Sequence, residues 1–286
     1  MVEHLIIDTD TCSDDAVALV MAFRYPGVVV EAITTVYGGV PLDLAVQNAL
    51  YTVELCGVSV PVYVGCAQPV LRAYKPGGGQ AVHGMDGMGD IGLPLGGRRP
   101  APGHAVDALI EAIHHHAGEV ILVTLGPLTN LAVALLRDPS IAGEVRECVV
   151  MGGVGIGPGN VTPVAEANVW GDPEAAQIVF QSGMPLTMVG IDVNNRAAVF
   201  DPPDAVALRA IGTPLAHFCV DIQGPVMAFM ESRLGRRVFS LPDPIAMAVA
   251  LNPAVATVVK PCYVSVDLSD GLTRGQTIVD HLEVTG

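Results

Sequence analysis

Apolar residues fall along this chain in two alternating patterns. Short continuous runs at 5–7, 28–36, 60–64, 119–125, 145–151 and 185–191 alternate with stretches whose apolar positions recur at helical spacing, at 16–23, 41–56, 104–117 and 130–136. Such runs, bounded by turn residues, predict buried strands, and the spaced stretches predict helices. Asp172-Pro173 predicts an N-cap with proline at the first helical position. Residues 203–233 read as helical in pieces, Asp243 heads another apolar helix, and 260–267 with 275–280 form a terminal pair of strands. The alternation, with no internal repeat and no composition break, predicts one α/β domain over 1–286. Its sheet is doubly wound, mostly parallel and Rossmann-like, flanked by helices, with the active site at the carboxyl ends of the strands.

Two glycine-rich stretches interrupt the pattern. Residues 65–103 form a loop long enough to be a lid or binding loop, and they contain His83. Residues 152–170 carry Asn160, Glu166 and Asn168, polar groups following a strand end, which predicts contact with sugar hydroxyls. The glycines at 152, 153, 155 and 157 lack the G-x-G-x-x-G spacing of a dinucleotide fingerprint. His114-His115-His116 fan around the end of a helix, where basic groups suit its dipole, and they read as structural rather than as a metal tract.

Composition narrows the partners. A mean hydropathy of +0.50 fits a heavily buried parallel sheet. No uninterrupted apolar run of membrane-spanning length occurs and the N-terminus carries no basic leader, which predicts a cytoplasmic protein. The six cysteines form no C-x-x-C pair and read as reduced core thiols. A net charge of −15 argues against nucleic-acid backbones and anionic membranes, and favours a neutral polar small molecule over a polyphosphate.

The candidate chemistry is concentrated at the opening. Asp8, Asp10, Asp14 and Asp15 sit between the first apolar run and the first helix, with Ser13 or Asp14 read as its N-cap. Acids in a first helical turn complement the helix dipole, which explains Asp14 and Asp15 but not Asp8 or Asp10. Two carboxylates about 4 Å apart repel by roughly 4 kcal/mol at an effective dielectric of 20, so four at one strand end call for a cation. All the donors are oxygen, which favours a hard ion, Ca²⁺ or Mg²⁺. Asp14 and Asp15 diverge by about 100° around the helix, so one can face the metal and the other a ligand.

Together the motifs resemble the inosine-uridine preferring nucleoside hydrolase family. The opening D-T-D-T-C-S-D-D-A at 8–16 matches the family's D-x-D-P-G-x-D-D-A. Further matches follow in family order: Gly126-Pro127-Leu128-Thr129-Asn130, Met151-Gly152-Gly153, Glu166-Ala167-Asn168 with Asp172-Pro173-Glu174, Asp243-Pro244, and Thr273-Arg274-Gly275-Gln276-Thr277. The resemblance implies Ca²⁺ held by Asp10, Asp15, the Leu125 carbonyl and Asp243, and ribose held by Asp14, Asn160, Glu166, Asn168 and the backbone near Met151. It implies hydrolysis of the N-glycosidic bond of ribonucleosides by a metal-activated water, with Asp10 as general base. A role in nucleoside salvage, as a homodimer or homotetramer, is expected with it.

Three departures qualify this. The family's Pro-Gly is Thr11-Cys12, placing a thiol beside the proposed metal, and the asparagine of the turn after the second strand is Gly39. Pro242 stands where many members carry a histidine associated with protonating the departing base, so His83, a residue in 217–233, solvent or aromatic stacking must substitute. The resemblance also implies a further strand and helix beyond Gly286. Two rivals are weighed. A haloacid-dehalogenase-like phosphatase also opens on D-x-D-x-T, but needs a lysine to neutralise phosphate, and Lys75 and Lys260, the two lysines, lie in a glycine-rich loop and near the end. A Ca²⁺- and riboside-binding relative without turnover is the other.

Overall fold

The computed structural model describes residues 2–74 and 77–285, so Lys75 lies outside the described residues. The first half of the chain lays down β1 (Glu3–Thr9), α1 (Ser13–Arg24), β2 (Val28–Thr35), α2 (Leu42–Leu55), β3 (Val62–Val64), α3 (Gln80–His83), α4 (Ala105–His115), β4 (Val120–Thr124), α5 (Thr129–Arg137) and β5 (Val145–Met151). The second half adds α6 (Ala167–Gly171), α7 (Pro173–Phe180), β6 (Leu186–Val189), α8 (Ile191–Ala197), β7 (Val199–Phe200), α9 (Pro202–Arg209), α10 (Pro214–Asp221), α11 (Gly224–Leu234), β8 (Phe239–Ser240), α12 (Pro242–Leu251), β9 (Tyr263–Val266) and β10 (Thr277–Asp280).

Six strands form one sheet in the order β3-β2-β1-β4-β5-β6, with every neighbouring pair parallel. Side chains alternate across such a sheet, so β1 feeds two cores. Ile6 joins Leu122, Val150 and the apolar faces of α4, α5 and α7, including Leu109 and Leu131. Leu5 and Ile7 join Ile33, Val123 and Val149 against α1, α2 and α12, including Leu19 and Met247. Each buried Leu or Ile contributes roughly 1.5–3 kcal/mol by leaving water. A third cluster, with Val17, Val20, Met88, Phe218, Ile222 and Phe239, packs the 202–240 segment on the outer side of α1. The strand order reverses between β1 and β4, and a doubly wound sheet opens its ligand crevice at that switch point, beyond the strand ends.

The differences from the sequence reading have local causes. The N-cap of α1 is Cys12 rather than Ser13 or Asp14, because the Asp15 carboxylate reaches back to accept the Cys12 N–H at 2.8 Å and Ser13 is already helical. Both stretches read as loops contain short helices. α3 is a single turn with no buried residue, and α6 has five residues, too few in either case for an apolar period to show. The terminal strands are shorter than their apolar runs and pair antiparallel, and α8, β7 and β8 are additional elements too short to imprint a period. All six cysteines are free, with Cys12, Cys56 and Cys148 buried and the other three partly so. His114 bridges Glu144 and Asp138, at 2.7 and 2.9 Å, which raises its affinity for protons. No helix among the described residues is long and apolar enough to cross a membrane.

Candidate active site

β1 carries its first acid into the core. Asp8 is fully buried and accepts from Thr34 Oγ1 at 2.5 Å and Asn130 Nδ2 at 2.8 Å, tying β1 to β2 and α5. Burial pushes its carboxyl up to about 6 despite those bonds. Its Oδ2 has no hydrogen-bond partner among the described residues. Asp8 therefore holds the strand end together below the crevice.

Asp10 follows the end of β1, and its Oδ2 accepts the Gly39 N–H at 2.5 Å. Burial, reinforced by the charges of Asp14 and Glu166, pushes it up to about 7 against that bond. The fit depends on glycine. A Cβ at residue 38 would stand 2.0 Å from Asp10 Oδ2, and one at residue 39 would stand 2.7 Å from Cys12 Sγ. Real Cβ atoms essentially never come that close, so Cys12 and Gly39, two of the family departures, occupy one shared space.

Asp14 and Asp15 open α1, and Asp243 opens α12, which packs against α1. Although the two α1 acids point apart around the helix, one carboxylate oxygen from each of Asp14, Asp15 and Asp243 lies within 4.8 Å of the others. All three residues are buried. Asp15 is braced by the Cys12 N–H and by Thr9 Oγ1 at 2.6 Å. Burial raises Asp15 and Asp243 well above the ordinary carboxylate range, and the charges of Asp10 and Asp14 raise both further. Such a buried all-oxygen set fits a hard divalent cation, which would remove the mutual repulsion. Asp10 lines the same cavity but stands outside the tight trio.

The β4 and β5 ends close the opposite wall. Asn168 Nδ2 donates to the Leu125 carbonyl at 2.8 Å and to the Met151 carbonyl at 3.2 Å, clamping the two strand ends. Glu166 caps α6, accepting the N–H groups of Gly153, Asn168 and Val169 at 2.9, 2.8 and 3.1 Å. Burial still raises its carboxyl above the usual range. Asn160 Oδ1 accepts the Ala167 N–H at 3.0 Å, so Asn160 and Glu166 shape the loop as well as line the cavity. His83, at the end of α3, places Nδ1 2.8 Å from Ser13 Oγ and 3.6 Å from Asp14 Oδ1. Gln223 locks the same corner by donating to the Ser13 carbonyl at 3.0 Å. Every residue that the resemblance assigned to metal or ribose, and His83, thus borders one cavity of about 820 Å³, whereas Asp8 lies beneath it.

Other walls carried no motif to reveal them. Tyr37, Tyr74, Trp170, Val226, Phe229 and Met230 supply an apolar lining, with Arg274 5.1 Å over the Trp170 ring and Arg233 5.4 Å over Phe229. Asn194, buried in α8, also borders the cavity, and its Oδ1 has no partner among the described residues. Loop aromatics and a helical asparagine have no period or spacing of their own. Pro242 lines the cavity as the first residue of α12 and offers no proton. Lys260 donates to the His281 carbonyl in the terminal strand pair and is absent from the lining, which removes it as a phosphate partner.

Known proteins match this arrangement along nearly the whole chain. The family described as inosine-uridine preferring nucleoside hydrolase matches residues 5–286. Uridine nucleosidase 1 of Arabidopsis thaliana is 44% identical over 280 residues, covering 98% of this chain and 82% of that protein. The pyrimidine-specific ribonucleoside hydrolase RihB of Escherichia coli is 35% identical over 285 residues, covering 99% and 88%. Among solved structures, the purine-preferring ribonucleoside hydrolase from Gardnerella vaginalis superposes with a TM-score of 0.92 at 33% identity, covering 99% of this chain and 90% of that one. With the acids of β1, α1 and α12 gathered at the switch point of a 3-2-1-4-5-6 sheet, this chain belongs to the inosine-uridine preferring nucleoside hydrolase family of enzymes.

Proposed function

We propose that the enzyme hydrolyses the N-glycosidic bond of pyrimidine ribonucleosides, uridine foremost, in a Ca²⁺-dependent reaction. The observation that carries this is the convergence of Asp14, Asp15 and Asp243, from two helices far apart in sequence, within 4.8 Å beside Asp10. Asp10, Asp15, Asp243 and the Leu125 carbonyl would hold the ion, and Asp14 connects it to the sugar hydroxyls. The bound dication supplies the positive charge that makes a nearby water more acidic. Base preference is supported by the names of the Arabidopsis and E. coli relatives.

The protein's own groups divide the remaining work. Asp10 takes the proton of the attacking water at Oδ1, since Oδ2 is held by Gly39. The water oxygen bonds to the anomeric carbon, the C–N bond breaks with its electrons on the base, and the surrounding carboxylates stabilise the oxocarbenium-like charge. Asn168, its amide N–H groups committed to Leu125 and Met151, presents Oδ1 to a ribose hydroxyl, and Asn194 offers its unpartnered Oδ1. His83 is the one imidazole lining the cavity among the described residues, and it supplies the proton that Pro242 cannot. The six free thiols fit a reducing, cytoplasmic setting, and a homodimer or homotetramer is part of the same proposal.

The test is a panel of ribonucleosides, 2′-deoxynucleosides and nucleotides incubated with Ca²⁺ and assayed for free base by chromatography. Uridine and cytidine release base, and their deoxy forms do so far more slowly. Equal rates for the deoxy forms contradict the placing of Asp14 and Asn168 on sugar hydroxyls. Release of phosphate without base restores the phosphatase reading.

A further inference from the structure

At the opposite end of the sheet, about 20 Å along β1 from Asp10, a second group of ligating side chains comes together. His4 is the second residue of β1, Glu31 lies in β2, and His116 and Glu119 flank the turn that leads from α4 into β4. Three local features assemble them. The β1–β2 register shifts between Leu5 and Ile6, so Glu31 is left without an opposite residue, and such a bulge re-aims a side chain. His4 pairs with Val120, which sets it beside Glu119. Gly118, at φ +78°, turns the chain so that the Glu119 N–H bonds the His116 carbonyl at 2.9 Å. One donor atom from each of His4, His116 and Glu119 lies within 4.8 Å of the others.

The contacts within the group leave donor atoms free for a ligand. His4 Nδ1 donates to Glu31 Oε1 at 2.7 Å, because a carboxylate can only accept, and in the neutral ring Nε2 then carries the lone pair. Nε2 faces Glu119 Oε2 at 4.0 Å, too far for a hydrogen bond. The two imidazoles stack 4.2 Å apart with planes 22° from parallel, and His116 Nε2 stands 3.7 Å from the other oxygen of Glu31. A carboxylate that fixes one ring nitrogen so that the other can ligate is the usual support for a metal-bound histidine.

We propose that His4, His116 and Glu119 bind one divalent transition-metal ion of the zinc class, with Glu31 orienting His4. Two imidazoles and one carboxylate suit zinc, cobalt or nickel and are a poor set for calcium. Tetrahedral donors around zinc stand about 3.4 Å apart, so the group must contract slightly. Glu119, 66% exposed at its side chain, is free to swing, and His116 rotates out of the stack because an ion lies in the plane of each ring it joins. The ion would staple the starts of β1 and β4 to the end of α4, independently of the calcium site.

The experiment is calorimetric titration of Zn²⁺ into the full chain with excess Ca²⁺ present, repeated with Co²⁺ to read the ligand field by absorption. The wild type takes up one Zn²⁺ per chain, and its melting temperature rises. Glu31→Gln weakens uptake by about tenfold, the size of effect such supporting carboxylates have elsewhere. His116→Ala removes this binding while base release with Ca²⁺ is unchanged, and His114→Ala retains the binding. Should His116→Ala fail to fold, the exposed Glu119→Gln gives the same reading. No uptake by the wild type, or equal affinity in His116→Ala and wild type, overturns the proposal. Because the readout is binding stoichiometry rather than turnover, this outcome is separate from the fate of the glycosidase reading.

Discussion

Two sets of buried carboxylates, one behind or in the far wall of the cavity and one at its acidic end, are treated in opposite ways. Asp172 and Glu166 are each wrapped in donors: Asp172 accepts from Thr129 Oγ1, Val70 N–H and Ala175 N–H at 2.7, 2.9 and 3.1 Å, and Glu166 accepts three backbone N–H groups. Asp14 and Asp243 accept no backbone N–H among the described residues: His83 Nδ1 stands 3.6 Å from Asp14, and Asp243 meets only another carboxyl, that of Asp15. The first pair have their donors within the protein and hold loops in place, Glu166 while also lining the cavity. The second set is complete only with something from outside, and that incompleteness marks it as the working end of the cavity.

The largest expected effect is on activity, at the acid beside the second set. Asp10→Ala lowers base release by about 10²–10⁴-fold, the range for loss of a general base, with the fold intact by circular dichroism. A mere twofold loss would move the base elsewhere. Next comes pH dependence in the chelated protein. Asp8 and Asp10 bind protons more tightly folded than unfolded, so the stability they contribute is present below about pH 4 and lost as pH rises through about 6 and 7. Asp8 alone accounts for roughly 3 kcal/mol across that window. Thermal melts with and without Ca²⁺ check this: the chelated melting temperature falls from pH 4 to 7, and Ca²⁺ restores most at the upper end.

Smaller effects sharpen the contrast through stability. Asp172→Ala removes a cap and three bonds and costs about 2 kcal/mol by urea unfolding. Asp243→Asn does the reverse in the chelated protein, raising its melting temperature because a buried repulsion is relieved. Destabilisation by both would erase the distinction. Smallest is Gly39→Asn, which crowds Cys12 Sγ and costs about 1–2 kcal/mol. In the Cys12→Gly background the cost should shrink by 0.5 kcal/mol or more, a coupling that a double-mutant cycle of unfolding energies measures.

The legibility of these features in the sequence followed their physical range. The parallel strands and the long helices α1, α2, α4 and α5 were readable because burial on two faces or one imprints a period over many residues. The acids of the opening were readable because four carboxylates at a strand end have no cheap structural explanation, and Asp243 joined them only through resemblance. Asp8 proved to be a strut between β1, β2 and α5, a role that depends on Thr34 and Asn130 arriving from other elements. Short helices such as α3 and α6 leave no period, and Trp170, Phe229 and Asn194 reach the cavity by tertiary packing alone. The Cys12–Gly39 exchange looked like two separate departures until the distance between them was known.

Calcium titration of the exhaustively chelated enzyme, followed together by calorimetry and by uridine hydrolysis, tests the central claim most directly. One Ca²⁺ per chain should bind and restore turnover in parallel, with both lost in Asp243→Asn. Full hydrolysis without any divalent ion, or unchanged calcium binding in Asp243→Asn, would contradict it.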